Sequence, residues 1–298
     1  MTDTLTVSKH PGYRAPLLGV LILIMMVCEK MLAHTYTSMF IYVIPAPWKY
    51  IIPGIIGLFG MFLIIKGMGK DEIKGSLQGY LGAVLVWMSW FEPGLPAVAK
   101  FNAIPMVKNA ENPMAGLMGE HVILQMSFLF CVMSLFFIML NKDVRCRMLL
   151  WIRRAIGLKV GTPTLKYNPV VARVAAFEYF FVTWFMYGVM LVIVDPRMFG
   201  LYHPVTYALN GAMILWGIYL VYLLIQQREV GMSIRYGIGA VGVAWFIPEC
   251  FAFYEVFYEF YLYPNKHPVP FVLSLVAFIG IIWFLWRTPV NPETQRSL

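Results

Sequence analysis

Charged side chains are scarce in this chain. Asp, Glu, Lys and Arg make up 13% of its 298 residues, about half the share of roughly a quarter found in soluble proteins. Hydrophobic residues make up 60%, and the mean hydropathy is +0.71. This balance excludes a water-soluble globular domain and a disordered, highly charged segment, and places the chain in lipid. Cysteine is equally sparse. Cys28, Cys131 and Cys250 fall inside apolar runs and Cys146 in a basic loop, so there is no disulfide framework and no paired-cysteine metal motif. Of the five histidines, His34, His121, His203 and His267 offer no two on one helix at a spacing that would hold a bis-histidine haem. His34 and His121 remain weak candidates as metal ligands, and the sequence indicates no particular cofactor. The 20 methionines are scattered, as packing residues are, rather than grouped as copper ligands. Nucleophile elbows, kinase signatures and phosphate-binding glycine loops are missing as well.

What the chain does have is apolar length. Eight runs, 15 to 44, 50 to 68, 76 to 97, 121 to 140, 174 to 194, 204 to 225, 233 to 254 and 268 to 286, approach or exceed the roughly 20 residues that carry a helix across a bilayer. They are continuous rather than alternating, which predicts an all-α, polytopic membrane protein with eight transmembrane helices and not a β-barrel. Seventeen of the 23 Lys and Arg residues fall in the termini and the even-numbered loops, five fall in the odd-numbered loops, and Lys30 lies within the first span. The positive-inside rule then puts both termini in the cytoplasm, in a plasma or bacterial inner membrane. The net charge of +8 reflects this orientation and contact with anionic lipid, not a nucleic-acid partner. The basic stretch Lys142 to Lys159 is expected to lie in the membrane surface as a helix with Leu149, Leu150, Trp151 and Ile156 toward lipid. The first span is too long, and lacks the small-residue site, for a cleaved signal.

The chain also repeats itself. Displaced by 157 residues, Pro47 to Glu92 overlies Pro204 to Glu249 without a gap, and thirteen of 46 positions are identical, among them Gly54, Gly60, Gly82, Glu72 and Glu92. The spacing predicts two four-helix repeats in parallel orientation, residues 1–140 and 174–298, joined by a cytoplasmic basic linker at 141–173. The glycines within the spans read as helix contacts.

A carboxylate inside a membrane helix costs about 2.5 to 3.5 kcal/mol on insertion scales, so it faces protein and has a partner, a proton or a function. Glu92 and Glu249 are matched by the repeat and flanked by Pro93 and Pro248, which free a backbone carbonyl near each acid. Glu29 and Glu178 form a second, looser pair, with Lys30 beside Glu29. All four are proton-handling candidates. Trp90, Phe246, Tyr254, Glu255 and Glu259 are candidates for ligand binding, because "FIPECFAFYEVFYEFYLY" from Phe246 to Tyr263 concentrates aromatics and acids at the outer boundary, with Glu255 and Glu259 expected on one helical face.

Three functions fit these residues. The first is a membrane enzyme or redox-complex subunit whose buried acids handle protons on a hydrophobic substrate of quinone or isoprenoid type. The second is a proton-coupled transporter using the same glutamates. The third is a structural anchor among other membrane subunits, with the 94 to 119 loop as a docking segment. Aromatic abundance and low charge favour a hydrophobic ligand over an ionic one.

Overall fold

The computed structural model describes residues 15–108, 116–140, 147–159 and 170–288. It is all-helical, with eight helices long and apolar enough to cross a membrane. The elements are α1 (Leu17–Ser38, continued by a π-helical turn Met39–Val43), α2 (Trp48–Gly67), α3 (Glu72–Val86, continued by a π-helical turn Trp87–Phe91), α4 (Gly94–Phe101), α5 (Gly119–Leu140), α6 (Arg147–Ala155), α7 (Val171–Val194), α8 (Pro204–Ile225), α9 (Val230–Ala244), α10 (Phe246–Phe253) and α11 (Pro268–Trp286). All eight apolar runs became spans, because each run is long enough at 1.5 Å per residue to cross the hydrocarbon.

The spans divide into inner and outer. The core is built mainly by α1, α3, α7 and α9, through Leu18, Ile22, Met25, Leu77, Tyr80, Ala175, Tyr179, Ile234 and Ile238. Helices α2, α5, α8 and α11 bury less of their surface and pack around the outside. In lipid there is no hydrophobic drive to bring helices together, so close contact depends on small residues. On Gly79 of α3 an added Cβ would stand 2.1 Å from the Ala172 carbonyl oxygen of α7, and on Gly19 of α1 it would stand 2.4 Å from the Leu224 carbonyl oxygen of α8. Gly60 and Gly82 meet across α2 and α3, and Gly217 meets Ala244 across α8 and α9. Gly54 and Gly239 have open space in place of a neighbour. Backbone cannot yield as a side chain can, so Gly79→Ala is expected to cost about 1 to 3 kcal/mol and to lower the melting temperature in detergent by several degrees. Gly54→Ala should leave it unchanged; equal effects of the two substitutions would contradict this packing.

The seventh span ends where expected, at Phe253, but the helix does not continue through the aromatic run beyond it. It breaks at Trp245, where Pro248 removes the hydrogen bond that the Ala244 carbonyl would have received, and α10 ends at Phe253. Glu255 adopts φ +59°, a left-handed turn, so Glu255 and Glu259 do not share a helical face. The chain folds back instead. The Thr35 hydroxyl donates to the Tyr261 carbonyl at 2.6 Å and the Ser38 hydroxyl to the Leu262 carbonyl at 3.2 Å, which ties this return to the end of α1.

The basic helix ends earlier than expected, at Ala155 rather than Lys159. Helix α6 covers Arg147–Ala155, residues 142–146 and the Trp151 side chain lie outside the described part, and Leu149 is buried against protein and not turned to lipid. Leu150 is half-buried and Ile156 is exposed, as a surface helix requires.

At the opposite end, Asp195 caps the turn after α7. Burial alone would raise its carboxyl, but hydrogen bonds from the Arg197 side chain and backbone and from Gln125 outweigh burial and hold it below the usual carboxylate value. A depressed acid contributes stability that is complete above the unfolded value of about 3.9 and is lost as pH falls through the folded value. The melting temperature should therefore fall more steeply below pH 4 in the native chain than in Asp195→Asn, and parallel profiles would refute the pairing.

Candidate functional site

Two tryptophan–glutamate pairs face one cavity in the half of the bundle away from α6. In α3 the π-helical turn places Glu92 five residues after Trp87, with the Glu92 N–H donating to the Trp87 carbonyl at 3.1 Å. Five residues of π-helix bring the two side chains onto the same face, as four residues of α-helix do. The Trp87 indole N–H then donates to Glu92 Oε1 at 2.8 Å. Across the cavity, Trp245 and Glu249 are four apart, and the Trp245 indole N–H donates to Glu249 Oε1, also at 2.8 Å. The two pairs have the same chemistry reached by two local geometries.

His34 of α1 completes the second pair. Its Nε2 stands 3.1 Å from Glu249 Oε1. The Trp245 N–H, which donates to Glu249 Oε1, also lies 3.3 Å from that nitrogen, so the indole, the imidazole and the carboxylate meet at one point. The imidazole is held between rings, 5.8 Å from Trp245 and 5.5 Å from Tyr261. The Tyr261 hydroxyl donates to Glu259 at 2.8 Å, and burial together with the nearby Glu249 charge raises the Glu259 carboxyl. Glu259 thus stands close enough to Glu249 to feel its charge.

On the other side of the cavity lies a buried ionic cluster. Glu29 is 2% exposed and accepts hydrogen bonds from the hydroxyls of Tyr80 (3.2 Å) and Tyr179 (2.9 Å). Lys30 donates to the Tyr179 hydroxyl at 3.1 Å, stands 3.7 Å from Glu29 Oε2, and lies 4.5 Å from the Tyr179 ring centroid. Lys30 and Tyr179 both line the cavity, and Glu29 lies behind them. Toward the α6 side, Arg235 pairs with Glu72 and contacts the Ser76 hydroxyl at 3.4 Å.

The cavity itself is about 70 Å³, room for a few waters or one small head group. Its walls are mostly apolar, with Met88, Met186 and Met190 among them, and Lys30, His34, Glu92 and Glu249 supply its charge. The Thr37 hydroxyl, also in the wall, is buried with no protein hydrogen-bond partner, so a polar occupant could satisfy it.

The expected site residues separate accordingly. Glu92, Glu249 and Phe246 come together in the wall, and Glu29 backs it. Glu178 is half-buried on α7 outside the wall, and its neighbour Tyr179 meets Glu29 in its place. Trp90 points away, against Gly57 of α2, with its N–H on the Gly54 carbonyl. Tyr254 is bound to Asn210 and the Leu201 carbonyl at the outer edge, and Glu255 is exposed. His121 stacks edge-on to Tyr187, a cavity residue, at 6.0 Å between centroids. Among the described residues no group of three or more His, Cys, Asp or Glu side chains is placed to hold a metal ion. Trp87, Trp245 and Tyr179 are the site residues the sequence reading missed, and Lys30 is the one it named without a partner.

No family model matches the chain, and no curated protein or solved structure does either.

Proposed function

We propose that the protein is an integral membrane enzyme, or the substrate-handling subunit of a membrane redox complex, that moves protons on and off the head of a quinone- or isoprenoid-type molecule. The observation that carries this reading is the convergence of Glu92 and Glu249, each with its own indole donor, on one small, mostly apolar cavity. An acid in such a site is well suited to general acid–base work, because it is held by a fixed donor at the edge of a space a substrate could enter. Glu249 with His34 forms a unit that can hold one proton on either partner. Glu92 is placed to exchange a proton with a bound head group, Glu29 to exchange with the cavity through Tyr179 and Lys30, and Glu259 to exchange beside Glu249.

The two-repeat reading supports a common origin for the paired sites. Within residues 1–140 and again within 174–298, the first and third spans are inner and the second and fourth outer. The indoles Trp87 and Trp245 are 158 residues apart rather than 157, and the additional residue of the π-helical turn accounts for the difference. We further infer from charge placement that both termini and the 141–173 linker face the cytoplasm, and that other membrane subunits dock on the outer segment after α4.

The test is extraction. The protein is purified from its own membranes in mild detergent, and the bound organic fraction is identified by mass spectrometry. Returned to the stripped protein in liposomes, that molecule should drive proton uptake or release that Glu92→Gln and Glu249→Gln both suppress. The Glu259-to-Glu29 series also fits a proton-coupled carrier. Steady proton flux across liposomes on addition of a water-soluble solute, with no lipophilic molecule bound, would favour the carrier and overturn the enzyme reading.

A further inference from the structure

Beside the acidic cavity, on its α6 side, lies a second, larger space of about 370 Å³ enclosed by α5, α6, α7, α8 and α9. Its size falls within the ordinary range for ligand sites, whereas the acidic cavity is far below it. Among the described residues, apart from the indole of Trp216, no polar side chain lines it; its walls include Phe136, Phe181, Phe185, Leu149 and Ile152. The space exists because α5 diverges from α7. The two helices are pinned at one end, where Phe128 packs onto Gly188 and the Trp184 indole donates to the Ser127 hydroxyl at 2.9 Å. Beyond that pin α5 stands away from the bundle, and α6 closes the far end with the buried Leu149.

The groove and the cavity share a wall. Met186 lines both, Gly242 faces the cavity while Val243 faces the groove, and Thr183 faces the cavity while Val182 faces the groove. Met186 is an unbranched, flexible side chain that can adapt its packing, so it is suited to separate or join the two spaces. On α7 the two spaces lie on adjacent faces at overlapping depth, Phe181 to Met186 for the groove and Tyr179 to Met190 for the cavity, and the groove extends from there beside α5 to α6. A molecule spanning them would have its polar head in the cavity and its chain running beside α5 toward α6. Residues 132 to 139 of α5, which border the groove, extend about 10 Å at 1.5 Å per residue.

We propose that this groove is the binding site for the hydrocarbon chain of an isoprenoid-type lipid whose head enters the Glu92–Glu249 cavity past Met186. The site deepens the proposed function and rests on that reading for the identity of the head, but not for the binding of the chain. The four aromatic residues along the groove present flat faces that can pack against an alkenyl chain, and the absence of charge leaves no place for a second head group.

The test uses a photoactivatable polyprenyl alcohol carrying a diazirine near the end of its chain, with the full-length protein in nanodiscs. Labelled peptides should map to α7 between Phe181 and Met186 and to Trp216. Leu135→Trp, which fills the groove from α5, should cut this labelling at least fivefold. Met133→Trp, on the same helix but outside the groove wall, should leave it intact and shows whether a large residue on α5 merely disrupts folding. Glu92→Gln with Glu249→Gln should also leave chain labelling intact, so loss of proton handling and loss of chain binding are separable. The proposal fails if labelling spreads over lipid-facing residues such as Leu129 and Phe137, if Leu135→Trp does not reduce it, or if excess oleic acid competes it away while excess unlabelled polyprenol does not.

Discussion

Replacing Glu29 by leucine is expected to lower the melting temperature of the detergent-solubilised protein by on the order of 10 °C. Leucine keeps most of the side-chain volume, so the loss is not a cavity effect. It strands the Lys30 ammonium, which is only 9% exposed, against the Tyr179 hydroxyl and ring. It also removes the shared acceptor of Tyr80 and Tyr179. Removing one member of a buried ion pair costs about 3 to 5 kcal/mol, and each kcal/mol shifts the midpoint of a 150- to 250-residue domain by roughly 2 to 4 °C. Glu29→Leu combined with Lys30→Met removes both charges and should recover most of the loss, because a buried pair replaced by apolar residues is often no less stable than the pair. Fluorescence-monitored unfolding of the wild type, the two single variants and the double variant gives the coupling directly. A single Glu29→Leu variant within a degree of the wild type would mean that Lys30 is not held inside by this acid.

The largest functional effect should come from the acids of the cavity. With the molecule extracted from the native protein as substrate, Glu92→Gln and Glu249→Gln are each expected to slow its single-turnover conversion by about a hundredfold or more, the range attributed to a positioned acid or base. Glutamine keeps the acceptor oxygen for the indole of Trp87 or Trp245, so the fold and the cavity shape should persist while the proton is lost. Glu249→Gln leaves His34 without its anion and should also change the pH dependence of the residual rate, which Glu92→Gln reports separately. Aspartate at either position keeps the proton but shortens the reach, and should restore part of the rate. Unchanged turnover in both glutamine variants would reduce the two acids to structural acceptors for tryptophan.

Much of this arrangement can be read from the residues, and the exceptions have physical causes. Long apolar runs place spans reliably because length and transfer free energy leave few alternatives, and the matched pair Glu92 and Glu249 is visible as soon as the chain is compared with itself. Their indole partners are hidden. The π-helical turn puts one additional residue between Trp87 and Glu92, so the tryptophans fall out of register by one, and Trp90, closest to Glu92 in sequence, turns to α2. The partners of Glu29 lie 51 and 150 residues away, a separation no local pattern encodes. The signal that was present is Lys30, since a lysine beside a glutamate deep in a span must find an internal partner. The helical continuation that would have put Glu255 and Glu259 on one face is broken just after the seventh span by a non-glycine residue in a left-handed conformation, Glu255, where no glycine marks the turn, and a continuous aromatic run gives no sign of it.

Infrared difference spectroscopy of the carboxylic acid stretch, followed through a pH titration of the wild type, Glu92→Gln and Glu249→Gln, tests most directly whether the two acids share one cavity. Each variant should lose one band, and the band that remains should titrate at a midpoint displaced from its wild-type position, because acids in one small low-dielectric space feel each other's charge. If each remaining band keeps its wild-type midpoint, the two glutamates do not act on each other, and a shared proton-handling site is ruled out.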